Sequence, residues 1–326
     1  MKIKKIIVRS VTIVCIAIIA FVFIYSSFFR RSKPYKIIMI PKIIDKTNDF
    51  WSSLIAGADM AGEEYGVDLS IRAGSSEIDY SGQNKLIEEA IKEKPDAILV
   101  TPCSFTHNTE TLKKVKAAGI PLILIDSVID QKIEDLVIAS DNFVTGEKLG
   151  IYASSLIGDN DHIAVVSHVK SASTAIDREL GFRAGLGSKE ANIYEVVYSN
   201  SDDLQAYNLT INLLKKYPDI KLIAGLNQPS AVGATRAIAD SGLGGKVFMV
   251  GLDSSLEEIK MMELGIFQGI VIQKPFNMGY LGVEQTVKFL DGKNPDHNID
   301  SGSKLITKAN LYDEDNQKLL FPFMGN

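Results

Sequence analysis

From Lys36 onward, apolar runs of strand length alternate with amphipathic helical stretches almost without interruption. That rhythm belongs to βαβ units and a parallel sheet, because parallel neighbours need a crossover long enough to hold a helix. The runs read as strands are Lys36 to Ile40, Asp68 to Arg72, Ala97 to Thr101, Leu122 to Asp126, His162 to Ser167, Ile193 to Tyr198, Leu222 to Gly225, Val247 to Gly251 and Gly269 to Gln273. Most are continuously apolar, as strands covered on both faces should be. Between them apolar residues recur at helical spacing, for example Leu86, Ile87, Ala90 and Ile91. The expected fold class is therefore α/β.

A chain of 326 residues is long enough for two lobes, each with its own core. The pattern repeats in two halves, with Asp126 closing one Ile-Leu-Ile run and Asp253 closing Val-Gly-Leu. In open α/β sheets ligands bind at such strand ends, so two sheets facing each other would form a cleft. We place a lobe change near Asp141-Asn142 and a return near Lys274-Pro275, where proline interrupts the strand pattern. This divides the chain into residues 1–33, a first lobe of 34–140 plus 275–302, and a second of 141–274 plus 303–326. The stretch Ser301 to Asn326 is less periodic and reads as a surface extension.

Before Pro34 the chain changes character. Residues 10–29 carry no charge and are rich in Ile, Val, Phe and Ala, enough at ~1.5 Å per helical residue to cross a ~30 Å hydrocarbon core. The run ends in Tyr25-Ser-Ser-Phe-Phe-Arg-Arg31 with no small-x-small site, which favours an uncleaved anchor over a secretory signal. Cys15 lacks the small residues a lipid attachment site would place before it. Basic residues flank the run on both sides, so charge does not set its orientation. Seven of the 35 basic residues and no acidic one precede Pro34, leaving 28 against 40 beyond it, a net of −12. Such a balance excludes nucleic acid as a natural partner. Cys103 is the single cysteine outside the apolar run, so no disulfide can form within the remaining chain.

The candidate binding residues fall at strand-to-helix turns. Asn48 or Asp49 can cap a helix that opens with Phe50 and Trp51, and two rings at a cleft edge suit the flat apolar face of a sugar; the simpler alternative is a cap with core aromatics. Asp126 and Asp253 can each grip two hydroxyls, or can merely cap helices. In Arg178-Glu-Leu-Gly-Phe182 the spacing places Arg178 at the start of a helix, where its guanidinium could fork onto vicinal hydroxyls or simply lie on the surface. Asn227 and Gln273 are uncharged amides that both donate and accept. Cys103 and His107 have a spacing that could pair thiolate with imidazole, but no third group stands by to orient the histidine. The four histidines show no metal-ligand spacing, and Gly242-Leu-Gly-Gly245 lacks a dinucleotide or phosphate-loop fingerprint, so no metal or cofactor is expected.

Taken in order, Asn48-Asp-Phe-Trp51, Lys94-Pro-Asp-Ala-Ile-Leu-Val-Thr-Pro102, Gly119-Ile-Pro-Leu-Ile-Leu-Ile-Asp126, Ala139-Ser-Asp-Asn142, Arg178-x-x-Gly-Phe182, Asn227, Val250-Gly-Leu-Asp253 and Gln273-Lys-Pro275 resemble the ribose-type periplasmic sugar-binding proteins. The resemblance runs from about Lys36 to Pro295. It implies two Rossmann-like, doubly wound parallel-sheet lobes joined by three hinge crossings, here preceded by one transmembrane helix, closing on one monosaccharide. It also implies that Asn48, Phe50, Trp51, Asp126, Arg178, Asn227, Asp253 and Gln273 contact the sugar. Two departures argue against ribose: the position after Asp126, often arginine in ribose binders, is Ser127, and the loop around Ser201 lacks the family's aromatic residue. A different pentose such as D-xylose, or else a hexose, is the expected ligand, the pentose first, with Ser127 in the site.

Sugar-responsive repressors share this core but begin with a helix-turn-helix, which residues 1–33 do not supply. An uncleaved helix instead resembles the membrane-anchored sugar-binding proteins that serve LytS-type sensor histidine kinases. The implied location is the cell membrane, single-pass, with the sugar-binding domain extracellular. The rival readings are the substrate receptor of a sugar ABC importer, acting with a membrane permease, and a glycosidase-like enzyme using Asp126 and Asp253; a non-enzymatic role is expected.

Overall fold

Two six-stranded sheets, built in the same order, divide the molecule in the computed structural model, which describes residues 33–320. The strands are β1 (Lys36–Ile40), β2 (Asp68–Ile71), β3 (Ala97–Val100), β4 (Leu122–Ile125), β5 (Leu136–Ala139), β6 (His162–Ser167), β7 (Ile193–Tyr198), β8 (Ile220–Gly225), β9 (Phe248–Leu252), β10 (Phe267–Ile272), β11 (Asn298–Asp300) and β12 (Lys304–Thr307). The helices are α1 (Asp49–Tyr65), α2 (Tyr80–Lys92), α3 (Thr109–Ala117), α4 (Asn142–Leu156), α5 (Ser173–Leu186), α6 (Asp203–Lys216), α7 (Gln228–Asp240), α8 (Leu256–Glu263), α9 (Pro275–Leu290) and α10 (Glu314–Leu320).

The first sheet runs β11-β5-β4-β3-β1-β2 and is parallel throughout; the second runs β12-β10-β9-β8-β6-β7 and is parallel except for its edge strand β12. In each sheet the second strand of the chain lies on one side of the first and the third on the other. Each therefore has a switch point where the connections diverge, between β1 and β3 and between β6 and β8.

The strands are apolar throughout because helices cover both faces. Ile163 and Val165 pack with Leu149 and Phe182 on one side of β6, while Ala164 and Val166 pack with Ile238 and Met249 on the other. In the first sheet Ile38 and Ile40 meet Ile87 and Leu112. Two helix pairs close the layers at very short range. A Cβ added at Gly279 of α9 would stand 1.9 Å from the Leu54 carbonyl oxygen of α1, and one at Gly181 of α5 would stand 2.0 Å from the Phe143 carbonyl oxygen of α4. Only glycine permits these backbones to touch.

The chain passes between the sheets three times: after β5 into α4, after β10 into α9, and between β11 and β12. Three parts of the fold differ from the expectation, one being β11, a three-residue edge strand that was not singled out. Leu136–Ala139 is a strand that the periodicity did not single out, because a loop rather than a helix joins it to β4. Residues beyond Ser301 are not a surface extension as far as they are described: β12 completes the second sheet, and Ile306, Leu311 and Leu320 belong to its core. The apolar run at 10–29 lies outside the described residues, and among those described no helix is long and apolar enough to cross a membrane.

Candidate functional site

The carboxyl ends of both sheets converge on one small cavity. Its wall includes Asn48, Phe50, Trp51 and Asp126 from the first lobe and Arg178, Asn227 and Asp253 from the second. Seven of the nine residues singled out in the sequence therefore meet at one place. The other two stand just behind it. Ser127 is buried, with its hydroxyl donating to Asp126 Oδ2 at 2.7 Å. Gln273 donates from Nε2 to Asp253 Oδ1 at 2.7 Å and lies in the wall of a neighbouring groove with Pro275 and Leu320.

Local backbone chemistry places each group. Asn48 caps α1, its Oδ1 accepting from the Phe50 and Trp51 amides at 3.0 and 3.4 Å, so the cap fixes where the two rings begin. The rings meet edge to face with centroids 5.0 Å apart. Asn227 caps α7 in the same way through the Ser230 amide, and Pro229 falls in the first turn, where a missing N–H costs nothing. Asp126 and Asp253 hold the left-handed conformation, with φ of 63° and 68°. Aspartate tolerates that region better than most residues, and the turn directs both side chains away from the sheets and toward the cavity.

Charge is paired inside the cavity. Lys42, only 3% exposed, reaches Asp126 Oδ2 at 3.4 Å and stands 5.8 Å from the centre of the Trp51 ring. Arg178 donates to Asn142 Oδ1 at 2.8 Å and to the Leu226 carbonyl at 3.0 Å, with Asp253 Oδ2 at 3.6 Å. Asn142 also donates to the Asp126 carbonyl oxygen at 3.4 Å, so Arg178 is held by the segment that crosses between the sheets. Burial pushes the Asp253 carboxyl above its ordinary pKa, against the pull of Arg178. Burial likewise pushes His168 well below the usual imidazole range, which keeps it neutral.

Lys42, Glu77, His168, Thr174, Gln228 and Pro229 also line the cavity and were not foreseen. His168 follows β6 directly, so the strand-end rule that selected Asp126 and Asp253 would have found it. Glu77 lies in a loop, where no local signal marks it. His168 Nδ1 and Gln228 Oε1 are buried without a hydrogen-bond partner in the protein, although His168 Nε2 meets Thr174 Oγ1 at 2.9 Å. Two residues of the cavity wall that carry unpartnered buried polar atoms suit a ligand rich in hydroxyl groups.

The lobes also touch directly. The Phe105 amide donates to the Ser171 carbonyl at 2.7 Å, the Val128 amide to Ser173 Oγ at 3.0 Å, and the Ser201 hydroxyl to Glu77 Oε2 at 2.9 Å. The two lobes are thus in direct contact, and Glu77 of the cavity wall takes part in one of the contacts. The thiolate–imidazole possibility finds no geometry. Cys103 is buried, its pKa pushed up to about 12, while His107 meets Ser104 Oγ at 2.9 Å and stacks on Tyr80. Among the described residues no cluster of His, Cys, Asp and Glu is arranged to hold a metal ion.

Known proteins share this architecture. The sequence profile of the periplasmic binding protein domain matches residues 37–294. The ribose import binding protein of Bacillus subtilis is 25% identical, with 80% of this chain and 84% of that protein aligned. The crystal structure of a sugar transporter from Clostridium phytofermentans is 46% identical with a TM-score of 0.80, covering 84% of this chain and 99% of that one. An ABC transporter solute binding protein from Agrobacterium vitis, solved with bound D-fucose, is 30% identical with a TM-score of 0.82, covering 87% and 99%.

Proposed function

This chain belongs to the periplasmic binding protein domain family, and on that premise we propose that it is a non-enzymatic, extracytoplasmic receptor that closes on a monosaccharide. The observation that carries the reading is the composition of the cavity: an aromatic pair from the start of α1, two carboxylates fixed at strand ends, a guanidinium from the second turn of α5, and two residues with buried polar atoms that have no partner in the protein. A neutral polyol complements that set, because each hydroxyl can donate to a carboxylate and accept from an amide or guanidinium while one ring face lies on Phe50 or Trp51. Names of relatives support a sugar of this kind, ribose in one and D-fucose in another. We take a pentose, D-xylose first, as the ligand.

In this reading Asn48, Phe50, Trp51 and Asp126 hold one side of the sugar and Arg178, Asn227 and Asp253 the other, with Ser127 and Gln273 orienting the two carboxylates. A ligand that bridges both lobes favours closure by as much as its affinity differs between the closed and open forms. Residues 10–29 anchor the chain in the cell membrane with the lobes outside. The closed form is then read by a membrane sensor histidine kinase of a two-component system. The second reading, the receptor of an ABC importer, is favoured by the import function named in the Bacillus subtilis relative. No bond is made or broken in either.

The test is a thermal-shift series on the full chain in detergent with D-xylose, D-ribose, D-arabinose, D-allose and D-fucose. A ligand at a hundredfold excess over its dissociation constant adds about 2.7 kcal/mol to stability, a shift of several degrees. No shift with any of these sugars would remove the sugar reading. Co-purification with the bound sugar then separates the outputs: a histidine kinase supports the first, a permease the second.

A further inference from the structure

Glu77 sits in the loop between β2 and α2, away from any strand end, yet it is 7% exposed and lines the cavity. Both of its carboxylate oxygens are engaged. Oε1 accepts from the Trp51 indole Nε1–H at 2.8 Å, within the first lobe. Oε2 accepts from the Ser201 hydroxyl at 2.9 Å, across the cleft. Ser201 Oγ in turn accepts from Asn227 Nδ2 at 3.1 Å. A carboxylate can only accept, so the hydroxyl proton of Ser201 is committed to Glu77 and its lone pair to Asn227. The result is a relay from an aromatic ring in one lobe to a binding amide in the other, routed through a buried carboxylate.

We propose that Glu77 is a positioning residue of this site that ties the orientation of the Trp51 ring to closure of the lobes. The bond to Trp51 lies within one lobe and persists when the lobes part. The bond to Ser201 exists only in the closed form, so it adds directly to the preference for that form, and hence to ligand affinity. Opening returns the carboxylate to a single partner and frees the indole to swing with it. A sugar stacked on Trp51 therefore meets a ring held in place only once Ser201 has arrived. The inference deepens the sugar-site reading and rests on it for the ligand, but the relay itself is testable without one.

Trp51 is the single tryptophan of the chain, so its fluorescence reports this relay alone. The experiment is acrylamide quenching of the full chain in detergent, without sugar and with D-xylose, D-ribose and D-allose in turn, for wild type, Ser201→Ala and Glu77→Gln. Ser201→Ala leaves the Trp51–Glu77 bond intact and removes the cross-lobe contact together with the acceptor of Asn227 Nδ2. It is expected to raise quenching in the absence of sugar and to weaken sugar binding by about tenfold to a hundredfold, the effect of a hydrogen bond to a charged group. Glu77→Gln keeps an acceptor for the indole but loses the charge, and is expected to fall between wild type and Ser201→Ala. Quenching and affinity unchanged in both variants would overturn the proposal. If wild type binds none of the sugars while Ser201→Ala still exposes Trp51, the relay stands and the sugar reading falls.

Discussion

Asp126 and Asp253 occupy the same place in two similarly ordered sheets, one residue past β4 and one past β9, and both adopt a left-handed backbone. Their surroundings differ. Asp126 faces the ammonium of buried Lys42 and takes the Ser127 hydroxyl. Asp253 takes the Gln273 amide and stands 3.6 Å from a guanidinium that already has two other acceptors. One lobe neutralises its strand-end carboxylate with a dedicated cation; the other leaves it with a shared one and a raised pKa. A repeated fold thus supplies the same position twice, while the neighbours decide how strongly each carboxylate is tied down.

Neutralising the two residues should separate these situations. Asp126→Asn strands buried Lys42 and is expected to cost about 3–5 kcal/mol in urea unfolding, together with sugar binding. Asp253→Asn leaves Arg178 its bonds to Asn142 and Leu226 and should cost under about 1 kcal/mol, while weakening sugar binding by at least about tenfold. Equal stability losses would erase the distinction.

A second contrast is with pH, through Glu258 in the second lobe. It is fully buried, and burial holds its pKa well above 4.5. The folded state keeps a proton that the unfolded state releases near its ordinary pKa. Its contribution is therefore fully present below that value and is lost as pH rises toward the folded pKa, by about 1.4 kcal/mol per pH unit. Glu258→Gln should be more stable than wild type at pH 8, with the gap narrowing toward pH 4.5; a gap independent of pH would mean that Glu258 is ionised in the folded protein. The smallest effect concerns the backbone. Asp253→Ala should be about 1 kcal/mol less stable than Asp253→Gly, because alanine has no ease at φ of 68°. The same pair at Asp126, with φ of 63°, should show a similar difference on top of the lost ion pair.

Legibility of the fold followed the local signal. β3 and β4 stood out because both faces of each are buried, which makes their residues apolar without exception. β5 did not, because the α/β rhythm leads one to look for a helix after β4, and a loop follows instead. β12 is four residues at a sheet edge, and its membership depends on β10 lying beside it. At the site, Asp126, Asn227 and Asp253 were legible because position at a strand end is a local property. Glu77 was not, since what brings it into the cavity is a partner 124 residues away along the chain, whereas Lys42, two residues past β1 as Asn227 is past β8, carried the same local signal and was missed.

The sequence by itself determined the class of fold, the strand ends that carry polar groups, and the caps that aim Asn48 and Asn227, because all of these follow from periodicity and from interactions spanning a few residues. Only the tertiary structure decided which of those groups share a cavity, that Ser127 and Gln273 stand behind the wall, and that Glu77 joins Trp51 to the opposite lobe. Those outcomes depend on how two sheets are set against each other by three crossings and by contacts between the lobes, and no local stretch of chain encodes that arrangement.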